Sequence, residues 1–357
     1  SYKGNAIMGQ AGNNFIIRGN VIEDTGVYGI FPQLGKNGII AHNVVSGIED
    51  AAIYVGMSEN VDVVYNEVFD SVAGIEIENT KYALVEGNNV YNNTGGILAF
   101  ITPGLPIKTC SDVIIRNNYV RDNNHENFAA VGSLVSNIPE GTGIMVMACD
   151  DVIIEGNIIS GNDSIGITLT DFSLAANTAK APDSVPNPDR PKILSNVMRD
   201  NGSNPTPFVR AALATMLKAE GQDIVDTIGL DSGCILYPER YRSVGISEYE
   251  DCPFETTINL VSYTLSQPVP PHSKENMETG MLVYYGVCAG CHAYNSRLIG
   301  PSVKIIQARY ANNPQGVADY SSRPVRIRPD FPEMPPQSHL DNASLFAAAS
   351  FLLKLEQ

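Results

Sequence analysis

Two cysteines and a histidine lie in one short string near the end of the chain. Cys288, Cys291 and His292 form the pattern C-x-x-C-H within GVCAGCHAYNSRLIGPS, residues 286–302. Two thiols two residues apart on a helical turn can reach both vinyl groups of one porphyrin, and the adjacent imidazole then lies below the iron. The string therefore predicts one covalent haem c, attached through Cys288 and Cys291 and ligated by His292.

The same string has two other chemical interpretations, a redox dithiol and half of a zinc site. A dithiol motif is typical of a thioredoxin-like βαβ context, which the surrounding sequence lacks. A zinc site needs a second Cys or His pair nearby, and none follows. Haem attachment is therefore the preferred interpretation.

Further elements stand in a recognisable order around the string. A helical pattern precedes it, a Gly-Pro pair and a second helical pattern follow it, and a methionine between prolines comes before a last amphipathic helix. This order resembles that of class I cytochromes c, and it covers essentially all of residues 272–357. The residues that carry the resemblance are Gly280, Tyr284, Gly300, Pro301, Met334 and Phe351.

The resemblance implies that Met334 is the distal iron ligand and that Pro301 belongs to the haem-binding residues. It also implies that the two terminal helices pack together, since the small Gly280 lets Phe351 approach closely. His339, five residues after Met334, is the alternative ligand. A haem ligated by His and Met has a raised potential and no open iron position, so such a site passes single electrons and binds no substrate.

Charge is distributed unevenly along the 357 residues. Residues 1–271 carry 15 Lys and Arg against 32 Asp and Glu, whereas residues 272–357 carry 8 against 7. The acidic front disfavours nucleic acid, whose phosphates require a basic surface, and it permits calcium or a cationic partner. Three arginines precede the methionine turn and have three alternative interpretations. They are exposed charges of a solvated loop, partners for haem propionates, or a docking patch for an acidic partner. They are Arg323, Arg326 and Arg328.

A repeat with a period near 22 occupies the first 200 residues. Each unit has an alternating apolar strand, an asparagine and a second short apolar pair, as in NNFIIRGNVIED and DDVIIEGNIISGN. The aligned asparagines are separated by 23, 23, 22, 30, 39 and 39 residues. They are Asn20, Asn43, Asn66, Asn88, Asn118, Asn157 and Asn196.

Such units predict a solenoid, because β-branched residues suit strands and a single rung cannot bury its inner face alone. The pattern resembles right-handed parallel β-helices, the architecture of pectate lyases and many secreted carbohydrate-active proteins. We expect the asparagines to take the left-handed backbone conformation and to bond to one another along a column. The longer spacings place insertions at residues 99–109, 123–141 and 171–190, which are either loop drift or a docking surface.

The other four cysteines form two candidate disulfides. Cys110 and Cys149 share one phase of consecutive rungs, so stacking brings them about 4.8 Å apart, within disulfide range; two buried free thiols are the alternative. A bridge between Cys234 and Cys252 would contribute about 3 kcal/mol. Disulfides and haem attachment both point to an oxidising compartment, so the sequence predicts a periplasmic or extracellular protein.

The chain divides into three predicted domains. Residues 1–203 form the β-helix, residues 204–271 a helical and irregular region that caps the last rung and ends in a linker, and residues 272–357 an all-α class I cytochrome c domain. The segment NPTPFVRAALATMLKAEG predicts an amphipathic helix in the capping region. Its apolar residues include Phe208, Leu213, Met216 and Leu217.

Two further expectations concern the membrane and the precursor. No uninterrupted apolar run is long enough to cross a bilayer, so no transmembrane segment is predicted. The first rung begins almost at Ser1, so we expect an upstream segment in a longer precursor.

Two functions of different classes follow from these features. The first is electron transfer without catalytic residues, in which the rod presents the haem to another redox protein or to a larger membrane-associated or surface assembly. A purely structural subunit is compatible with it. The second is glycan binding or cleavage on the rod, of the lyase or epimerase kind, with calcium and an auxiliary cytochrome. The outward residues that could serve it are Asp62, Glu76, Glu78, Asp112 and Arg116.

Overall fold

A coil of short parallel strands makes up most of the molecule. The computed structural model describes residues 4–172, 184–216, 221–272 and 277–356. In chain order, its strands are β1 (Ile7–Gln10), β2 (Asn13–Arg18), β3 (Val21–Glu23), β4 (Tyr28–Gln33), β5 (Lys36–Ala41), β6 (Val44–Ser46), β7 (Ala51–Gly56), β8 (Glu59–Val64), β9 (Glu67–Phe69), β10 (Ala73–Glu78), β11 (Lys81–Glu86), β12 (Asn89–Tyr91), β13 (Gly95–Phe100), β14 (Ser111–Arg116), β15 (Tyr119–Arg121), β16 (Thr142–Met147), β17 (Ile153–Glu155), β18 (Ile158–Ser160), β19 (Ile165–Thr170), β20 (Lys192–Leu194), β21 (Val197–Arg199), β22 (Ile224–Asp226), β23 (Cys234–Ile235), β24 (Ser243–Val244) and β25 (Glu250–Asp251).

These strands stack into three parallel sheets. Sheet A has the order β1-β4-β7-β10-β13-β16-β19-β22-β24, sheet B the order β2-β5-β8-β11-β14-β17-β20-β23-β25, and sheet C the order β21-β18-β15-β12-β9-β6-β3. Each full rung gives one strand to every sheet. The predicted parallel β-helix is therefore confirmed.

Aliphatic side chains fill the interior of the rod in register. Ile53, Ile75, Ile97 and Ile144 pair across adjacent strands of sheet A and are fully buried. Because side chains alternate along a strand, the residue after each isoleucine points away from this core. These outward residues form a row that we call the outer row of sheet A. Its members are Tyr54, Glu76, Leu98, Met145, Thr168 and Val225.

The aligned asparagines bond to one another at the turn between sheets B and C. Each side-chain amide Nδ2 donates to the Oδ1 of the next asparagine, over 2.8–3.0 Å from Asn20 to Asn196. The same amide groups donate to backbone carbonyls of the preceding rung, as Asn66 does to Ile40. A buried amide that lost its partner would cost about 1–3 kcal/mol, so the column holds the rungs in register. The predicted ladder is confirmed.

The left-handed conformation lies one residue earlier than expected. The residue before each ladder asparagine has a positive φ, as Tyr65 (57°) and Asn117 (55°) do. The asparagines themselves are not left-handed, because their amides must point inward along the column. Our expectation that the column residues take this conformation was wrong.

A second asparagine ladder runs along the turn between sheets C and A. Asn93, Asn123, Asn162 and Asn201 bond in the same way, each over 3.0 Å. Each lies five residues after a member of the first ladder. The regular offset could have revealed this column from the sequence alone.

Both predicted disulfides are present. Cys110 and Cys149 stack on consecutive rungs with Cα atoms 4.7 Å apart, and Cys234 is bridged to Cys252. The alternative of two free thiols at Cys110 and Cys149 is therefore wrong.

The rod extends past the boundary that we placed at residue 203. Sheets A and B each gain two strands from residues 224–251. Helix α1 (Pro207–Thr215) packs Val209 and Leu213 against sheet A residues, including Val225. Because Val225 belongs to the outer row, the helix covers the outer face of sheet A. The prediction that it caps the edge of the last rung was wrong. The predicted apolar residue Leu217 lies outside the described residues.

The segment after the last strand returns along the rod. Residues 253–272, which we call the strap, run over the outside of sheet B from the last rungs to the first. Polar side chains of successive rungs bond to strap backbone atoms. These contacts are Glu155 with Thr257 N (2.9 Å), Arg116 with Thr257 O (2.9 Å), Asp62 with Tyr263 N (3.0 Å), Asn37 with Leu265 N (2.7 Å) and Asn14 with Val269 N (2.8 Å).

The described C-terminal residues 277–356 form a helical domain on the first rungs. Its elements are α2 (Thr279–Val283) with a following π-helical turn (Tyr284–Cys288), α3 (Val303–Arg309), α4 (Pro314–Ser322) and α5 (Asn342–Lys354). The domain packs on sheet A, where Gln33 Nε2 donates to Tyr285 O over 2.6 Å.

Two of the three insertions form a docking surface for this domain. In the first, residues 99–109, Leu105 is buried with Tyr284 and Gly104 O accepts from Tyr294 N over 3.0 Å. In the second, residues 123–141, Val131 O accepts from Arg297 over 2.8 Å. Loop drift is therefore the wrong interpretation for both. The third insertion, residues 171–190, lies largely outside the described residues.

We expect Arg116→Met to destabilise the protein by about 3 kcal/mol. The Arg116 side chain is 3% exposed and pairs with Glu86 over 2.9 Å, so its loss leaves a partly buried carboxylate without its charged partner and removes the Arg116 donors from two strap carbonyls. The exposed pair of Arg199 with Asp200 supplies the control, since Arg199→Met should change the free energy of unfolding by less than about 0.5 kcal/mol. Denaturant unfolding measures both, and equal effects would contradict a structural role for the strap.

Candidate functional site

The C-x-x-C-H string lies at the end of the first helical segment of the C-terminal domain. The π-helical turn ends at Cys288, and the chain then turns so that His292 N donates to Cys288 O over 3.1 Å. Helix α2 is held against α5 at Gly280, where a Cβ atom would overlap the carbonyl oxygen of Ala347 and would lie 3.1 Å from Phe351 Cβ. This is the helix crossing that the resemblance implied.

One apolar cavity of about 300 Å³ collects the predicted site residues. This volume is at the lower end of the range of cofactor and small-molecule sites. Aliphatic residues of α3, α4 and α5, the loop at residues 326–340 and the residues around the C-x-x-C-H string form its walls, and Met8 and Val27 of the first rungs also contribute. The predicted residues on its surface are Cys288, Cys291, His292, Pro301 and Met334.

His292 is oriented by the residues that follow it. Its Nδ1 lies 2.8 Å from the carbonyl oxygen of Pro301, so Nδ1 carries the proton and Nε2 keeps its lone pair. A Cβ atom on Gly300 would overlap the imidazole ring, which explains the glycine at this position. Burial lowers the pKa of His292, so the ring is neutral and able to bind a metal at neutral pH.

The two cysteines of the string are unpaired, whereas the other four cysteines form disulfides. Burial raises the pKa of both Cys288 and Cys291 to about 12. A reactive dithiol requires the opposite, a lowered thiol pKa beside positive charge. The environment therefore disfavours the redox dithiol interpretation.

The alternative ligand His339 is directed elsewhere. Its Nε2 lies 2.9 Å from Gln10 Oε1 on the first strand of the rod, and His339 does not line the cavity, whereas Met334 does. The structure thus places Met334, and not His339, on the same cavity as His292.

Basic residues lie at the mouth of the same cavity. Arg326 and Arg328 line it, together with Arg309 of α3, which the sequence analysis had missed; Arg323 does not. Arg328 pairs with Asp330 over 2.5 Å, and Arg326 donates to the Phe331 carbonyl over 3.1 Å. These arginines offer positive charge to an anionic group of a bound cofactor.

The outward residues proposed for carbohydrate chemistry do not form one constellation. Asp62 and Arg116 bind the strap, and Asp112 accepts from the adjacent Ser111. Glu76 and Glu78 are buried on sheet A, and the third acid beside them is Asp50. Sequence analysis missed Asp50, which lies directly before strand β7. The signal was the rung spacing, which pairs Glu76 with Tyr54 of that strand and so brings Asp50 onto the neighbouring rung.

Among the described residues, no group of three or more His, Cys, Asp or Glu side chains has the arrangement of a metal site. Calcium on the acidic rod stays a prediction. In the described part of the chain, no helix combines the length and apolar character needed to cross a membrane.

Two protein families match parts of the rod. The family described as Periplasmic copper-binding protein (NosD) matches residues 1–138, and the family described as Right handed beta helix region matches residues 100–206. Together with the three parallel sheets, these matches show that the chain is a right-handed β-helix repeat protein. Neither match reaches the C-terminal helices.

Several solved structures share the fold at low similarity. The A-module of mannuronan C-5 epimerase AlgE4 from Azotobacter vinelandii is 15% identical, with a TM-score of 0.44 over 62% of this chain and 52% of that one. DFA-IIIase from Arthrobacter chlorophenolicus A6, in complex with DFA-III, is 14% identical, with a TM-score of 0.38 over 63% and 52%. Alginate lyase from Paenibacillus sp. str. FPU-7 is 14% identical, with a TM-score of 0.38 over 63% and 76%.

The chain spans about half the length of the first two of these proteins, and no curated protein matches it. At these identities and TM-scores, the solved structures transfer no activity, substrate or partner to this chain.

We expect Gly280→Val to destabilise the C-terminal domain by about 1–3 kcal/mol, because the added side chain overpacks the crossing of α2 and α5. Gly12→Ala is the matched control, since nothing lies within 4 Å of a Cβ at that position. Thermal unfolding followed by circular dichroism compares the two variants. If Gly280→Val unfolds at the wild-type temperature, the helix crossing is not as described.

Proposed function

We propose that this protein is a periplasmic or extracellular electron carrier whose C-terminal domain holds one haem c. In this proposal, Cys288 and Cys291 would hold the haem covalently, and His292 and Met334 would ligate its iron. When bound, the haem would supply one-electron redox chemistry at its iron. The observation that carries the proposal is the convergence of these four residues on one apolar cavity.

The residues around the cavity would each have a stated role. Pro301 O accepts from Nδ1 of His292, which would leave Nε2 with a lone pair to bind the iron. The aliphatic walls exclude water, which supports a raised potential. Arg309, Arg326 and Arg328 would pair with the haem propionates, which is the function we favour for the basic loop.

The rod would act as the scaffold that presents this domain. The C-terminal helices lie on the first rungs and on two insertions, so the domain is fixed relative to the acidic rod. An acidic scaffold suits a redox partner with a basic docking face. Two observations support the proposed location. The protein has two disulfides, which persist in oxidising compartments, and the family that matches residues 1–138 is described as periplasmic.

The ligand assignment predicts a spectroscopic loss in Met334→Ala. The oxidised wild type should show the weak near-infrared sulfur-to-iron band, and the variant should lack it while keeping covalent haem. Met216→Ala is the control and should retain the band. Met216 lies at the C-terminal end of helix α1 and packs against the residues beneath that helix. A wild-type protein without this band would exclude Met334 as ligand.

Covalent attachment is tested independently with the double variant Cys288→Ala/Cys291→Ala. A pyridine haemochrome assay on denatured protein should detect one haem per wild-type chain and none in the variant. The reduced wild type should also transfer electrons to a small acceptor cytochrome. Absence of haem from protein expressed with a haem-attachment system would overturn the proposal.

The second candidate function is glycan binding or cleavage on the rod, which the names of the matched enzymes favour. Against it, Asp62 and Arg116 are engaged by the strap, Glu76 and Glu78 are buried, and Asp112 bonds to Ser111 away from them. We expect no unsaturated products when the full-length protein is incubated with uronate polymers, with or without calcium. Product absorbance that grows with time and protein concentration would promote this second function.

A further inference from the structure

An apolar groove follows the outer row of sheet A beyond the C-terminal domain. Leu98, Met145 and Thr168 form its floor, and the insertion at residues 123–141 and helix α1 form its two walls. Its volume is about 430 Å³, within the range of sites for small molecules. The groove is separate from the cavity that contains His292.

Glu76 lies at the end of this groove nearest the C-terminal domain. It is the outer-row neighbour of Leu98, lines the groove and is only 2% exposed. Its Oε1 accepts no hydrogen bond from any residue that the structure describes. A carboxyl oxygen buried without a partner costs free energy, so this atom is the position at which a bound ligand would be stabilised most.

Glu76 belongs to a cluster of three buried acids. Asp50 is 5% exposed, Glu78 is 3% exposed, and Asp50 Oδ1 likewise has no hydrogen-bond partner among the described residues. Glu78 is satisfied by the hydroxyls of Tyr54 and Thr102. Among the described residues, the side chains that shift the pKa values of these acids are other acids and hydroxyl groups. None of them is basic.

We propose that this groove binds one cationic amphiphile, with an apolar tail along the outer row and a primary ammonium group at Glu76. An ammonium group offers both the missing hydrogen-bond donor and the missing positive charge. A sugar would meet mainly apolar side chains, such as Leu98, Phe100 and Met145, and a fatty acid would bring a fourth carboxylate to the cluster. The proposal does not depend on the haem.

Binding should release a proton. Burial, followed by repulsion from Asp50 and Glu78, raises the pKa of Glu76 well above its usual value, and the pKa of Glu78 is raised to about 6. The other titratable groups that face the cluster are Tyr28, Tyr54 and Cys291, and none supplies a positive charge. Near pH 6 the free site therefore retains protons, and an ammonium group favours the ionised carboxylate.

Titration calorimetry of the full-length protein tests the proposal with decylammonium as the probe. The wild type should bind one equivalent, and at pH 6 the heat should differ between phosphate and Bis-Tris, because the buffer takes up the released proton. Propylammonium, which lacks the tail, and decanol, which lacks the charge, should each bind at least about tenfold more weakly.

Two variants separate the head site from the tail site. Glu76→Gln should weaken decylammonium binding about 10- to 100-fold and abolish the buffer dependence, while decanol binding stays unchanged. Thr168→Phe should fill the groove and remove binding of both probes. Glu59→Gln, an exposed glutamate on sheet B, is the matched control and should bind as the wild type does; circular dichroism verifies that each variant is folded.

Any one of three binding results with decylammonium alone would overturn the proposal. They are wild-type protein that binds no decylammonium, Glu76→Gln protein that binds it with unchanged affinity, and Thr168→Phe protein that binds it as the wild type does. Equal affinity for decylammonium and decanol would also overturn it, because the carboxylate would then play no part.

Discussion

The hydrogen bonds between stacked asparagine amides are the interaction on which the rest of the structure depends. They fix the turn between sheets B and C on every rung from Asn20 to Asn196, and a slip of one residue would turn the core outward. Because this register is fixed, residues from distant parts of the sequence form one outer row. That row carries the C-terminal domain at one end and the groove at the other.

The parts of the fold that repeat were predictable from the sequence. The ladder and the bridge between Cys110 and Cys149 followed from rung phase, because equivalent positions in a solenoid become spatial neighbours. The helix crossing at Gly280 was implied by the resemblance of the C-terminal motifs to class I cytochromes c. The ladder and the bridge needed only local patterns, whereas the crossing needed that resemblance.

The parts that depend on contacts between the three regions were not predictable. The strap contains no motif, and its path is fixed by side chains such as Asp62 and Arg116, which looked like surface chemistry in the sequence. Asp50, Glu76 and Glu78 gain their properties only when the C-terminal domain covers them. The left-handed residues were misplaced by one position, because backbone and side-chain roles at the turn are divided between neighbours.

The return path of the strap also orders the events of folding. The contact of Gln33 with Tyr285 joins residues 252 positions apart, and that of Asn13 with Pro270 joins residues 257 positions apart. Closing so long a loop gains little until the rungs it crosses exist, because each strap contact needs a finished rung beneath it. We therefore expect the rod to assemble before the strap and the C-terminal helices settle on it.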